Sequence, residues 1–264
     1  MSGDKAPNYL FIYENQSLAV AEDGTFSEDF HVAKSFILKI SLSSINEIFL
    51  QGELTIPSSG AKALIIFAHG SGSGRSSPRN QQVAKALNDF GFATLVVDLL
   101  TPEEQETDIR SQKIICKIPG LILNKFNIRL LSDRLKAITN WITDNAPQVN
   151  GLSIGYFGAS TGTAAAIEAC IHFDKVYAIV SRGGRPDLAD PETIQHITAC
   201  FLLIVGSKDS REVIDRNKKA FKQLKSTKSK ELVMIPNAGH LFEEENAMEQ
   251  VANLTTNWFI ENLR

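Results

Sequence analysis

Six short runs, ALIIFAH (63–69), ATLVVD (93–98), SIGYFG (153–158), VYAIVS (176–181), CFLLIVG (200–206) and ELVMIP (231–236), are strand-length and largely apolar on successive residues. A strand exposed on one face alternates polar with apolar residues. One written this way has both faces covered, which is the condition of a parallel sheet flanked by helices. Helical patterns occupy most of the intervals: RNQQVAKALNDFG, FNIRLLSDRLKAITNWITDNA, TGTAAAIEACIHF, DPETIQHI and REVIDRNKKAFKQL, with EEENAMEQVANLTTNWFIENL after the last run. The alternation predicts βαβ units and an α/β fold with a mostly parallel central sheet. Upstream, FILKISLS and EIFLQGELTIP do alternate and are closed by Pro57, so they are expected as N-terminal antiparallel strands, giving about eight strands in all.

No repeat, low-complexity tract or Pro/Gly linker divides the chain, so one domain is expected over 36–264, preceded by a polar arm or extra edge segment over 1–35. The interval 99–125 interrupts the strand–helix rhythm. It opens with Thr101 as an N-cap, Pro102 at the first helical position and Glu104 three residues after the cap, and a long excursion after a strand makes it a possible lid insertion.

Composition narrows the partners. A net charge of −3 on 264 residues gives no global attraction to nucleic acid. The six lysines of KKAFKQLKSTKSK fit the solvated side of a helix whose stripe is Ala220, Phe221 and Leu224. Cys116, Cys170 and Cys200 are widely spaced, with no paired framework, as suits a reducing compartment. The N-terminus lacks a basic region followed by an apolar stretch, and the longest apolar runs fall far short of the ~20 residues of a membrane span. A cytoplasmic protein without a membrane or nucleic-acid partner is expected, as monomer or homodimer.

The stretch GYFGASTGTA (155–164) ends a strand in small residues and begins a helix. Such a turn holds a serine, here Ser160, on a tight strand-to-helix elbow with its hydroxyl exposed. Gly158 and Gly162 suit it, because a Cβ at either position would crowd the adjoining strand and helix. Functional residues of parallel sheets collect at the C-terminal ends of strands. Asp209 follows one such end in GSKD, His240 follows another in NAGH, and Ser71 follows a third in HGSGSG. The order Ser160, Asp209, His240 permits a nucleophile, an orienting acid and a base. A serine hydroxyl attacks poorly until an imidazole takes its proton, and the imidazole needs a carboxylate to fix its tautomer. The amides of Thr161, at a helix start, and of Ser71 are the expected oxyanion donors. Asp209 could instead cap the following helix, with Asp187 as the fallback acid. His31, His172 and His196 read as structural.

Arg75 and Arg79 follow one strand end, and Arg182 and Arg185 another. Arg182 and Arg75 are candidates for binding an anionic substrate group through the planar guanidinium fork, against the alternative of bracing loops by pairing with Asp98, Asp187 or Asp190. No cofactor is expected. A metal is not expected either, since no His/Cys/carboxylate set has ligand spacing, and GSGSG lacks the Gly-Lys-Ser/Thr ending of a phosphate loop.

HGSGSG (69–74), GASTG (158–162), GSKD (206–209) and NAGH (237–240) together resemble the α/β-hydrolase superfamily, and over about 41–264 its dienelactone-hydrolase-like branch. HGSGSGRSSPRN, DLLTPEE and SRGGRPDLA resemble a bacterial group, some of whose members are fused to a phosphoribosyltransferase-like domain; none is expected within these residues. The resemblance implies a cysteine nucleophile in true dienelactone hydrolases, where this chain has Ser160. That difference moves the expectation from a dienelactone to a carboxylic ester or thioester, cleaved through an acyl-enzyme. An acyltransferase or peptidase on the same residues, and a non-catalytic binding protein on a hydrolase scaffold, are the alternatives.

Overall fold

The computed structural model describes residues 14–15, 34–41, 48–112 and 122–263. Cys116, His31, most of the 1–35 segment and positions 113–121 of the 99–125 insertion lie outside these. The strands are β1 (Glu14–Asn15), β2 (Lys34–Ser41), β3 (Phe49–Ile56), β4 (Leu64–Ala68), β5 (Ala93–Val97), β6 (Ile154–Ala159), β7 (Val176–Arg182), β8 (Cys200–Gly206) and β9 (Lys230–Ile235). The helices are α1 (Pro78–Asp89), α2 (Pro102–Gln112), α3 (Ile128–Asn145), α4 (Thr161–Cys170), α5 (Pro191–His196), α6 (Arg211–Gln223) and α7 (Ala247–Asn262).

The described strands form one nine-stranded sheet in the order β1-β2-β3-β5-β4-β6-β7-β8-β9. Pairings from β5 through β9 are parallel, while β1, β2 and β3 join antiparallel. The ninth strand is the two-residue β1, which pairs Glu14 with Phe36 at the sheet edge, inside the segment read as arm or edge strand.

Every residue of β4, β5, β6 and β8 is buried, as their unbroken apolar runs require. One face, with Ile66, Leu95, Tyr156 and Leu203, packs under α3 and α4. The other, with Phe67, Phe157, Val180 and Ile204, packs under α1 and α7. Each large apolar side chain buried this way contributes roughly 1.5–3 kcal/mol. The alanines at 164–166 let α4 lie close to the sheet, and Phe67 and Phe157 stack with ring centroids 4.9 Å apart.

Strand order reverses at β4, which pairs with β5 on one side and β6 on the other. Loops leaving β4 and β6 therefore diverge to opposite faces and open a crevice at their C-terminal ends, the place where open α/β sheets bind ligands.

Candidate active site

Ser160 stands in that crevice, between β6 and α4, with φ 49° and ψ −120°. Few non-glycine residues adopt such a backbone, which costs about 1–3 kcal/mol and persists only when the surroundings impose it. Here they do. The Ser160 N–H donates to the Arg182 carbonyl (3.2 Å), and its own carbonyl accepts from the Thr163 and Arg185 N–H groups (3.1 and 3.0 Å). The flanking glycines make room: a Cβ on Gly162 would sit 2.0 Å from the Ala68 carbonyl oxygen, and one on Gly158 2.6 Å from Thr163 Cα.

Asp209 and His240 meet because their loops are tied together. The Lys208 N–H donates to the Ala238 carbonyl (2.8 Å) and the Asn237 N–H to Ser207 Oγ (2.8 Å). His240 Nδ1 lies 2.8 Å from Asp209 Oδ2, while Asp209 Oδ1 accepts the Ser210 N–H at 2.7 Å. A carboxylate oxygen only accepts, so Nδ1 donates and Nε2 keeps its lone pair. The Asp209 side chain is 3% exposed and that of His240 38%, so the acid is sheltered and the imidazole faces outward. Helix α6 is capped by Ser210, which accepts the Val213 N–H, and not by Asp209. Asp187 is bound to Arg185 (2.8 Å) and near Arg216 (3.5 Å). Among the described contacts Ser160 and His240 share no hydrogen bond, but both abut the end of β7. Ser160 bonds to Arg182, and a Cβ on the next residue, Gly183, would lie 3.4 Å from His240 Nδ1. Apo sites often leave such a bond to tighten on binding.

The β4–α1 loop closes the other side of Ser160. A Cβ on Gly70 would stand 2.9 Å from Ser160 Cβ, so the backbone at 69–71 passes directly against the serine. A cavity of about 350 Å³ opens there, lined by Ser71 and Thr161 together with Ser73, Leu100, Ile109 and Leu131; Ser160 and His240 are not among its lining residues. Neither the Ser71 nor the Thr161 N–H has an acceptor among the described residues.

His69 was read only as part of the loop motif, yet it orients this backbone. Its Nε2 accepts the Leu99 N–H (2.8 Å), so the proton must be on Nδ1, which donates to the Gly70 carbonyl (3.0 Å). The Ser73 N–H donates to that carbonyl too (3.2 Å). With the Gly70 oxygen held on one side, the Ser71 N–H of the same peptide is turned the other way. Burial pushes the His69 pKa below its ordinary value, with the Gly70 bond and Asp98 pulling weakly back. The unfolded chain therefore binds the proton more readily than the folded one, and the fold loses stability as pH falls below about 6.5 towards the folded-state pKa. Wild-type Tm, followed from pH 7.5 to 5, is expected to drop more steeply than that of His69→Gln, which cannot titrate. Parallel curves would remove His69 as the cause.

The remaining candidates separate. Arg75 lines the cavity, held by Asp98 (Nε–Oδ2 3.1 Å; N–H to Oδ1 2.7 Å) and Gln51 (2.6 Å). Arg182 is not among the lining residues; it points between β7 and α7, with Nη1 3.6 Å from Met248 Sδ. Helix α2 supplies Gln105, Asp108 and Ile109 to the cavity wall. Its start is the capping box expected from the sequence, with reciprocal Thr101 and Glu104 bonds (2.9 and 3.3 Å), and Glu104 also pairs with buried Arg134. Near its far end Asp108 accepts the Asn124 and Lys125 N–H groups, both at 2.8 Å. No group of three potential ligands among the described residues is placed to hold a metal ion, and no described helix is long and apolar enough to cross a membrane.

The dienelactone hydrolase family model matches residues 50–261. The chain belongs to the dienelactone hydrolase family. It is similar to the crystal structure of a dienelactone hydrolase from Anabaena variabilis, at 47% identity and a TM-score of 0.75, over 86% of this chain and 98% of that one. Est1E of Butyrivibrio proteoclasticus shares the fold, with a TM-score of 0.65 at 16% identity over 86% of this chain and 98% of its own. A Mycobacterium tuberculosis protein provisionally named a phosphoribosyl transferase is 43% identical over 213 residues, which are 80% of this chain. This family member spans under half, 44%, of that relative's length. The α/β-hydrolase fold of the chain follows from family and neighbours together.

Proposed function

We propose that the protein is a serine hydrolase that cleaves a small carboxylic ester or thioester through an acyl-enzyme on Ser160. The observation that carries this reading is the strained backbone of Ser160, kept at φ 49° beside Thr161, a residue that with Ser71 lines the cavity and whose amide, like that of Ser71, has no acceptor among the described residues. His240 takes the Ser160 proton as the hydroxyl attacks, and Asp209 holds the imidazole in the Nδ1–H tautomer and stabilises the cation that forms. The Thr161 and Ser71 N–H groups receive the developing oxyanion, each worth roughly 2.7–4 kcal/mol at the transition state. His240 returns the proton to the leaving group, then activates the water that releases the acyl group. Every step uses side chains and amides of this chain.

The cavity volume suits a short acyl group. Ser73 Oγ and Thr161 Oγ1 are buried on its wall without partners, which favours acyl groups that bear a hydrogen-bonding substituent.

The test is turnover of p-nitrophenyl esters of graded chain length, together with labelling by a fluorophosphonate. Turnover falling with chain length, and a label located on Ser160, are the expected results. Asp209→Asn should lower kcat by about 10³–10⁴-fold while leaving the label detectable, because the amide favours the wrong imidazole tautomer. A label on another residue would defeat the reading. A labelled Ser160 with no ester or thioester turned over would replace hydrolysis by binding.

A further inference from the structure

Four consecutive residues at the end of β7, Arg182 to Arg185, touch Ser160, His240 and the helix that begins just after Asp209. The Arg182 carbonyl accepts the Ser160 N–H (3.2 Å), and the Arg185 N–H donates to the Ser160 carbonyl (3.0 Å). Between them, a Cβ on Gly183 would lie 3.4 Å from His240 Nδ1. Gly184 completes the set, because its carbonyl accepts Nδ2 of Asn217, in α6, at 2.9 Å. Asn217 is fully buried, and the proposed chemistry gives it no part.

A buried amide in a helix interior is disfavoured unless its hydrogen bonds are made. Asn217 Nδ2 donates twice, to Gly184 and to the Val213 carbonyl one turn back (2.8 Å). Two carbonyl oxygens facing one end of the amide identify that end as the NH2 group, since oxygen there could bond to neither. The peptide joining Gly184 to Arg185 is the link that matters. A trans peptide sends its C=O and its N–H to opposite sides. Asn217 takes the oxygen side, so the hydrogen side is presented to the Ser160 carbonyl. Gly184 has no room to move the other way. A Cβ there would stand 2.0 Å from Ser181 Oγ and 2.5 Å from Thr163 Oγ1. Those two hydroxyls bond each other (3.1 Å), and Thr163 Oγ1 also donates to the Gly158 carbonyl (3.0 Å), on the strand side of the serine turn.

We infer that Asn217 is a positioning residue for Ser160: by holding the Gly184–Arg185 peptide it keeps the Arg185 N–H on the Ser160 carbonyl, and so keeps the serine turn at φ 49°. Its effect on catalysis rests on the serine-hydrolase reading; its effect on the turn does not. Gly184, Arg185 and Asn217 are all absent from the lining of the cavity at Ser71 and Thr161. Loss of the Asn217 bond therefore acts on the reactivity of the serine and leaves substrate binding alone.

The experiment compares Asn217→Ser with Val213→Ala in the full chain. A helical hydroxyl bonds the carbonyl four residues back, as Thr139 does to Leu135 (2.8 Å). Asn217→Ser thus keeps the Val213 bond and falls short of Gly184. Val213→Ala trims the packing of the same helix and leaves the Asn217 amide in place. In Asn217→Ser, kcat for p-nitrophenyl acetate and the rate of fluorophosphonate labelling should both fall about 10–100-fold, with KM within about threefold of wild type. Val213→Ala should lose Tm but keep both rates within about twofold. Asn217→Ala, which loses both bonds, should repeat the split between kcat and KM at a lower Tm.

The second readout needs no turnover. Ser160→Gly relieves backbone strain and should raise the urea midpoint of wild type. In Asn217→Ser the turn is already slackened, so the same substitution should raise the midpoint by less than about half as much. An undiminished gain in that background overturns the assignment, as does no gain in either. Wild-type kcat in Asn217→Ser, or a raised KM at constant kcat, overturns it as well. If wild type neither turns over esters nor takes the label, the hydrolase reading fails, and the urea comparison alone decides whether Asn217 holds the turn.

Discussion

Ser160→Ala is expected to lower kcat for ester hydrolysis by about 10⁴–10⁶-fold with the fold intact, leaving the residual rate that binding and oxyanion donors sustain alone. Ser160→Gly should be as inactive and also more stable than wild type. Glycine relieves about 1–3 kcal/mol of backbone strain at φ 49° and gives back roughly 0.5–1 kcal/mol through its greater freedom in the unfolded chain. The net gain, up to about 2.5 kcal/mol, is readable in urea unfolding alongside the activity loss. An inactive variant that becomes more stable is the mark of a residue held in strain for function, and destabilisation by Ser160→Gly would rule out that account of the turn.

Gly162→Ala is expected to have the largest effect on stability. The added methyl would meet the Ala68 carbonyl oxygen at 2.0 Å and the His69 carbonyl oxygen at 2.7 Å, main-chain atoms at the end of β4 and the start of the loop after it, which cannot swing aside as a side chain can. Helix α4 would have to lift from β4, opening the packing of Ala164, Ala165 and Ile167 beneath it. A loss of about 3–5 kcal/mol follows, at the upper end for a single substitution, with Tm lower by ten degrees or so. Gly60→Ala is the comparison. Gly60 has φ 86° but nothing within 4 Å of the added Cβ, so it should cost only about 1 kcal/mol. Similar losses at the two sites would mean that α4 can shift and that the contact at Gly162 is soft.

The sheet was legible because its signal is local. An unbroken apolar run such as ALIIFAH marks a strand covered on both faces, and β4 is buried at each residue; ELVMIP departs from this, because β9 lies at the sheet edge and is only partly buried. The capping box at Thr101–Glu104 was readable for the same reason, since both partners lie within one turn. What stayed hidden was non-local. His69 is fixed by an amide 30 positions away, and no spacing rule reveals that its two ring nitrogens serve one backbone turn. Whether Asp209 or Asp187 would reach His240 depended on which loops bond to each other. The structure ties the loop at Lys208 to Ala238 and gives Asp187 to two arginines. Arg182 was read as a candidate for the substrate pocket because it ends a strand. Which face a strand-end side chain takes depends on the pleat, and here Arg182 shares the Ala178 and Val180 side, beneath α1 and α7.

The serine turn is held by three main-chain hydrogen bonds and by two glycines packed against neighbouring backbone; none of these engages the serine hydroxyl. The scaffold thus specifies where a reactive atom will stand and is indifferent to which atom it is. On the proposed mechanism, exchange of oxygen for sulfur at the tip would change the nucleophile without asking anything new of the fold. Such a turn can carry hydroxyl or thiol chemistry through a single substitution, with its hydrogen bonds and glycine contacts unchanged.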